Sequence, residues 1–359
     1  MALHETEGIG WKTISRLWDA REEKPIAPGM READLRDAGL APKAAASLAA
    51  RLSPQAMEAA VERRRRGGLD VVTWADPEYP SLLRSIEDPP PVLYWKGRPE
   101  LLRRVAVGVV GTRLATAYGR HVAEEYAAVI SAEGAAVVSG MAKGIDTAAH
   151  RGALRGSGGT IAVLGTPADQ IYPPENRRLY EEIAERGLVL SEAPPDAPYH
   201  PGMFPIRNRI ISGLSLCVVI VEAPDRSGAL ITADRAIEQD RPVFIVPGPV
   251  TSPRSIGGLR MLREDTARAM IGPEDVLAHL RSHPGFRAIR EEFPENKPAT
   301  DDLPEPEAAV YALLLDGPRT IDELASASGL GPGPLHAALL ALQIKRKAVQ
   351  QPGSAYAAL

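Results

Sequence analysis

Val105-Ala106-Val107-Gly108-Val109-Val110-Gly111-Thr112-Arg113 is the stretch on which the reading of this 359-residue chain turns. It is an unbroken apolar run of strand length, rich in β-branched valine. It ends in Gly-Thr-Arg, and helical spacing begins near Ala117. A strand covered on both faces reads as continuously apolar rather than alternating, which marks a parallel sheet. Five further runs of this kind follow: Ala135 to Ser139, Thr160 to Gly165, Leu188 to Ser191, Leu216 to Val221 and Val243 to Pro247. Segments of helical length separate them. The alternation predicts an α/β fold, a Rossmann-like doubly wound parallel sheet. Ligands of such sheets bind beyond the carboxyl ends of the strands. The residues that follow each strand are therefore the candidate site.

Working outward, composition divides the chain into four parts. Residues 1–68 have helical spacing, with turns at Gly8-Ile9-Gly10 and at Gly39-Leu40-Ala41-Pro42-Lys43 that each precede a helix, and they end in the basic run Arg63 to Arg66. Such hairpins either meet a phosphate or only reverse a small helical bundle. Residues 69–283 hold the sheet, entered through a proline-rich stretch whose β-like piece Leu69 to Trp74 is expected to decorate an edge. Residues 284–304 are acidic and proline-rich, the composition of a linker. Residues 305–359 read as helices over Glu307 to Leu315, Thr320 to Ser328 and Gly333 to Leu342, then two β-like pieces, the order of a winged helix. Its Lys345-Arg346-Lys347 could touch DNA phosphates, although winged helices also dock proteins.

The 42 Lys and Arg against 46 Asp and Glu leave a net charge of −4, so affinity for nucleic acid must come from a local basic pocket. The single cysteine, Cys217, sits in an apolar strand and excludes a disulfide framework or a cysteine-rich zinc site. The start of the chain lacks a secretory pattern, and no apolar run is long enough to span a bilayer, so a cytoplasmic location is expected.

Four strand ends carry the chemistry. Gly111, Thr112 and Arg113 offer close backbone approach, a hydroxyl and a planar cation, which suit a phosphate at a helix N-terminus. Gly108 and Gly111 alone do not make the dinucleotide fingerprint, and the second strand ends in Ser139 rather than an acid, which argues against NAD. Ser139, Gly140 and Lys143 can add contacts to the same anion. Asp146 and His150 lie four apart on one helix face, either as an acid–base or metal pair or as a structural pair; no metal or other cofactor is assigned. Phe204, Arg207, Asn208 and Arg209 combine a ring with cations and an amide, as unpaired strands require, unless the helix merely packs its isoleucines inward. Ser227 opens another helix after the fifth strand, and the sixth strand ends in Pro247-Gly248-Pro249. The P-loop, the nucleophile elbow and the zinc-protease motif are all missing from the sequence.

Gly111-Thr112-Arg113, Ser139 to Asp146 with His150, Tyr172-Pro173-Pro174-Glu175-Asn176, Phe204 to Ser215 and Ser227 to Ala233 resemble, in order and spacing, the DNA-processing DprA/Smf family. The resemblance covers residues 70 to 280. The N-terminal part is similar to that family's sterile-alpha-motif-like domain and the C-terminal part to its winged helix. The resemblance implies a dimeric, non-enzymatic protein that binds single-stranded DNA and loads the RecA recombinase onto it, displacing single-strand-binding protein, in transformation or repair. It implies a strand-binding pocket at Thr112, Arg113, Ser139, Gly140, Lys143, Phe204, Arg207, Asn208 and Arg209. Thr112 stands where the family usually has serine. The segment Gly257 to Thr266 departs from the family pattern, which bears on the far edge of the sheet.

A rival reading is a nucleotide phosphoribohydrolase of the lysine-decarboxylase-like family, which shares the sheet. Those enzymes carry a Pro-Gly-Gly-x-Gly-Thr segment where this chain reads Asp225 to Thr232. If Arg113, Lys143, Arg207 and Arg209 all held phosphates, affinity would fall with salt at a log–log slope of about −3.

Overall fold

The computed structural model describes residues 1–22, 24–286, 303–315, 317–345, 347–351 and 355–358. They fall into two compact units, Met1–Glu292 and Phe293–Leu359.

In the first unit the strands are β1 (Asp70–Thr73), β2 (Val92–Gly97), β3 (Ala106–Gly111), β4 (Ala136–Ser139), β5 (Thr160–Leu164), β6 (Leu188–Ser191), β7 (Cys217–Val221), β8 (Val243–Val246) and β9 (Arg268–Ala269). They form one sheet in the order β1-β2-β6-β5-β4-β3-β7-β8-β9. Every pairing from β6 to β9 is parallel. β1 and β2 extend the β6 edge in antiparallel fashion. The six expected strands are β3 to β8, several of them a residue shorter at one end, and the edge piece at Leu69 to Trp74 is β1. β2, which joins it to the sheet, follows the prolines at 89 to 91 and was not anticipated.

The helices are α1 (Trp11–Asp19), α2 (Glu32–Asp37), α3 (Pro42–Arg51), α4 (Pro54–Arg66), α5 (Ser81–Arg84), α6 (Ala117–Ala132), α7 (Ile145–Ala153), α8 (Arg177–Arg186), α9 (Met203–Leu214), α10 (Gly228–Glu238), α11 (Ile256–Arg263) and α12 (Glu274–Ser282). Because side chains alternate across a strand, β3 sends Ala106 and Val110 to one face and Val107 and Val109 to the other. The first face packs on α9, α10 and α11 through Ile210, Ile211, Leu230 and Met261. The second packs on α6, α7 and α12 through Ala127, Ala149 and Leu277. Continuous apolar strands are thereby covered on both faces. Gly213 on α9 lets α5 come close, since an added Cβ would stand 2.6 Å from Leu83 Cδ1.

The N-terminal helices have their own apolar cluster around Leu17, Leu35 and Leu48. Glu5 ties them to the sheet: its carboxylate accepts a hydrogen bond from the Tyr94 hydroxyl (2.8 Å) and pairs with Arg51 (3.3 Å) and Arg63 (3.2 Å). The run Arg63 to Arg66 closes α4, where positive charge complements the helix dipole.

The order of the sheet reverses between β3 and β7. From β3 the chain proceeds through β4 and β5 to β6 on one side, and from β7 to β8 on the other. The crevice at their carboxyl ends is the switch point expected to take a ligand.

In the second unit, helices Glu307–Leu315, Ile321–Ser328 and Pro332–Ile344 pack around Tyr311, Leu324, Leu335 and Leu339. Thr320 and Glu323 form a capping box at the second helix. Strands β10 (Arg319–Thr320), β11 (Ala348–Gln351) and β12 (Ala355–Ala358) form an antiparallel sheet in the order β10-β12-β11. This is a winged helix. Residues 287–302 of the expected linker lie outside the described residues. Among the described residues no helix is long and apolar enough to cross a membrane.

Candidate nucleic-acid interface

Two loops meet at the switch point. The first, Gly111 to Arg113, leaves β3. The Thr112 N–H donates to the Glu222 carbonyl just past β7 (2.8 Å), and the Thr112 carbonyl accepts from the Ile145 N–H that opens α7 (3.3 Å). Gly144, with φ of +82°, makes the crossing feasible, because a Cβ there would run into the Thr112 carbonyl and stand 2.8 Å from that of Arg113. The β3 and β4 loops are thus locked to each other through main-chain groups.

The sequence reading placed an anion at the N-terminus of α6. That place is taken by the protein itself. Glu222 accepts from the Thr116 N–H (2.9 Å) and the Thr116 hydroxyl (2.5 Å), and the Thr116 Oγ1 caps the Gly119 N–H (2.9 Å). A resident carboxylate stands where a phosphate was expected. Glu222 was missed, although it follows a strand directly.

The second loop, Ser139 to Lys143, is self-satisfied in the same way. The Asp146 carboxylate accepts the N–H groups of Gly140 (3.1 Å) and Ala142 (3.3 Å), and the Met141 N–H donates to His150 Nε2 (3.3 Å). His150 Nδ1 lies 2.7 Å from the Thr160 Oγ1, which donates onward to the Val137 carbonyl (2.8 Å). Of the two readings of Asp146 and His150, the structural one holds: they shape the turn. Burial pushes the His150 imidazole down to about 3, helped by Arg207, and raises the Asp146 carboxyl against the pull of Arg207. Among the described residues no cluster of His, Cys, Asp and Glu could hold a metal.

The structure does not present every expected side chain to the crevice. Ser139 is fully buried and its hydroxyl donates to the Val109 carbonyl (2.7 Å), so it serves the sheet. Arg209 points away, to Glu192 (2.8 Å) and Asp88 (3.3 Å). It sits two positions after Arg207, which on a helix is the opposite side. Arg207 itself is 6% exposed. Its Nη1 donates to the Gly140 (2.7 Å) and Val163 carbonyls and its Nε to Asn208 Oδ1 (3.2 Å), so its charge lies under the crevice floor. Burial pushes its pKa down to about 10, with Asp146 opposing and Arg113 assisting. Gly140 makes room for it, since a Cβ would meet the guanidinium at 2.5 Å. Asn208 Nδ2 donates to the Gly228 carbonyl (3.2 Å), and Ser227 Oγ accepts from the Ala229 N–H (3.2 Å) as the cap of α10.

What does face the crevice is Arg113, Lys143 and an aromatic group. The Arg113 guanidinium carbon lies 5.7 Å from the Phe204 ring centroid. Lys143 is exposed and pairs with Glu175 (2.6 Å), an exchange that solvent and salt make easy. Phe204 has two ring neighbours, Tyr172 at 5.2 Å and Tyr199 at 6.0 Å, which lie 5.8 Å from each other. Gly165, at the end of β5, lets the ring settle, since a Cβ there would be 2.9 Å from Phe204 Cδ1. The sequence reading offered Phe204 as the one ring of its stretch, without these two neighbours. Tyr172 belongs to the turn after β5 and was legible by the strand-end rule, whereas Tyr199 lies in an irregular loop and carries no local signal.

In the second unit, Lys345 pairs with Glu307 (2.6 Å) and the Lys347 ammonium lies 5.2 Å from the Tyr311 ring centroid. Arg346 lies outside the described residues.

The family described as DNA recombination-mediator protein A matches residues 70–281, and the DprA winged helix domain matches residues 294–354. The chain is 36% identical over 327 residues to protein Smf of Synechocystis sp., covering 82% of each. It is 40% identical over 217 residues to the DNA processing protein DprA of Bacillus subtilis, covering 60% of this chain and 73% of that one. The X-ray structure of DprA from Streptococcus pneumoniae aligns with a TM-score of 0.67 at 35% identity, over 77% of this chain and 95% of that one. DprA from Helicobacter pylori, whose structure describes a single-stranded DNA binding mode, aligns with a TM-score of 0.54 at 30% identity, over 60% of this chain and 96% of that one.

Proposed function

The chain belongs to the DNA recombination-mediator protein A family, and on that footing we propose that it binds single-stranded DNA, without catalysing a reaction, in the crevice at the ends of β3, β4 and β5. The observation that carries this reading is the ring group Tyr172, Tyr199 and Phe204 with Arg113 set over Phe204. Rings that stack on bases beside a cation that neutralises phosphate are what an unpaired strand needs, irrespective of its sequence. Within the proposal, the strand is then handed to the RecA recombinase by a cytoplasmic homodimer of this chain, with single-strand-binding protein displaced, in transformation or repair. The direct contacts are Arg113, Lys143 and Phe204, with Gly111, Thr112, Gly140, Arg207 and Asn208 forming the loops and floor beneath them. The single-strand binding mode described for the Helicobacter pylori relative supports the ligand class.

The test is fluorescence anisotropy of labelled poly-dT at several salt concentrations, with the wild-type chain and Arg113→Ala. Tight, salt-sensitive binding that the variant loses is expected; equal binding by both would move the activity out of the crevice. The phosphoribohydrolase reading is not favoured, because the segment that would carry its machinery only caps α10 through Ser227.

A further inference from the structure

A cavity of about 390 Å³ lies on the side of α9 to which Arg209 points, between the segment that follows α5, the carboxyl end of α10 and the approach to β8. Apart from Ile86, every residue that lines it is polar or charged. We propose that this cavity binds a free amino acid, held by its carboxylate and its ammonium group together. The proposal stands apart from the strand reading, because the cavity shares no lining residue with the ring group or with the loops of the crevice.

Three buried polar atoms of its lining have no hydrogen-bond partner among the described residues: Arg209 Nη1, Arg241 Nε and Gln239 Oε1. The rest of each side chain is engaged. Arg209 donates to Asp88 (3.3 Å) and Glu192 (2.8 Å), Arg241 Nη2 to the Leu82 carbonyl (3.2 Å), and Gln239 Nε2 to the Arg209 carbonyl (3.2 Å). Turning the Gln239 amide over would set its oxygen against that carbonyl, so the unmet atom is an acceptor. Two guanidinium donors and one amide acceptor are left, and each costs free energy until it is met. A carboxylate accepts from both arginines, and an ammonium group donates to Gln239.

The surrounding charges select the same class. Arg209, Arg235 and Arg241 line the cavity on one account, and Glu87, Asp88, Glu238 and Asp240 on the other. Arg209 pairs with Asp88, and Arg235 with Glu238 (2.7 Å), which leaves Arg241 to meet a carboxylate and Glu87 and Asp240 to meet a cation. A plain anion would face the acids and a plain cation the arginines, whereas a molecule that carries both signs close together satisfies each. The volume lies near the lower end of the roughly 300–1,000 Å³ usual for small-molecule sites, which suits an amino acid better than a larger metabolite.

The experiment uses the full chain without DNA. The common L-amino acids are titrated one at a time by calorimetry, beside inorganic phosphate as a plain anion and spermidine as a plain cation. At least one amino acid is expected to bind, while its N-acetyl derivative and its methyl ester, each lacking one of the two charges, do not. Gln239→Met removes the acceptor and should weaken that amino acid about tenfold, the loss of one hydrogen bond to a charged group. Ser85 is exposed at the rim, so Ser85→Trp fills the mouth without touching the core and should abolish binding even if Gln239→Met fails to fold. The proposal is overturned if no amino acid binds, if phosphate or spermidine binds as tightly as the best amino acid, if the blocked derivatives bind equally well, or if Ser85→Trp binds as wild type does.

Discussion

The guanidinium of Arg113, at the end of β3, lies over the ring of Phe204 in the first turn of α9, 5.7 Å from its centroid. Two residues 91 positions apart in sequence make one surface on which a base can stack while the neighbouring phosphate is neutralised. With Arg209 committed to Glu192 and Asp88, and Arg207 beneath the floor, two cations face the strand rather than four. The expected slope of log affinity against log salt is therefore about −1.4, not the −3 of four exposed cations. Arg113→Ala should bring it to about −0.7. A wild-type slope near −3 in titrations from low to high salt would return Arg207 and Arg209 to the phosphate-binding set.

Phe204 should matter through its ring. Phe204→Leu keeps apolar volume but removes the stacking face, and is expected to cost about 1–3 kcal/mol of strand affinity. Tyr172→Leu, measured in a double-mutant cycle with it, should show coupling, because the two rings are in contact at 5.2 Å. Additive losses in anisotropy titrations would mean that the rings act independently.

Arg209 separates stability from binding. Its side chain is 11% exposed and held by two carboxylates, so Arg209→Ala leaves both without their cation. A loss of about 2–3 kcal/mol in urea unfolding is expected, with strand affinity and salt slope of the folded variant unchanged. A binding defect at full stability would reverse this assignment.

His150 makes the β4 turn sensitive to acid. The Met141 N–H donates to Nε2, so the proton of the neutral ring is on Nδ1, facing Thr160. Protonating Nε2 would set two donors against each other. The folded-state pKa, about 3, lies below the ordinary 6.5, so the native protein binds fewer protons than the unfolded chain between these values. The contribution of His150 is then complete above pH 6.5 and is lost as pH falls toward 3, by up to about 1.4 kcal/mol per pH unit. Asp146, raised by burial, acts with the opposite sign, so the comparison needed is wild type against His150→Gln. Urea midpoints measured from pH 7 to 4.5 should fall more steeply for wild type. Parallel curves would mean that native His150 accepts a proton as readily as the unfolded chain does.

Much of the fold is legible in the sequence. The Val105 to Gly111 run announced a buried parallel strand because both of its faces had to be covered, and the other five strands followed by the same rule. The rule that ligands gather after strands pointed to Gly111, Thr112, Arg113, Gly140 and Lys143, which the structure brings to one crevice because topology alone brings strand ends together. Phe204 and Arg207 were readable as a ring and a cation on one helix, though not the side each would take.

Direction and pairing are what the linear chain left open. Arg207 and Arg209 are the same residue type two positions apart, and only the docking of α9 on the sheet turns one beneath the crevice and the other to Asp88 and Glu192. The vacancy that the sequence implied at the start of α6 is closed by Glu222, 106 residues away from Thr116. The ring group joins Tyr172 and Tyr199, from two separate loops, to Phe204 in the first turn of α9. Local sequence determines which residues form strands and helices, because periodicity and burial act over a few residues. Which charges remain free to meet a ligand is decided by the tertiary structure, because a buried charge takes whatever partner the folded chain brings within reach.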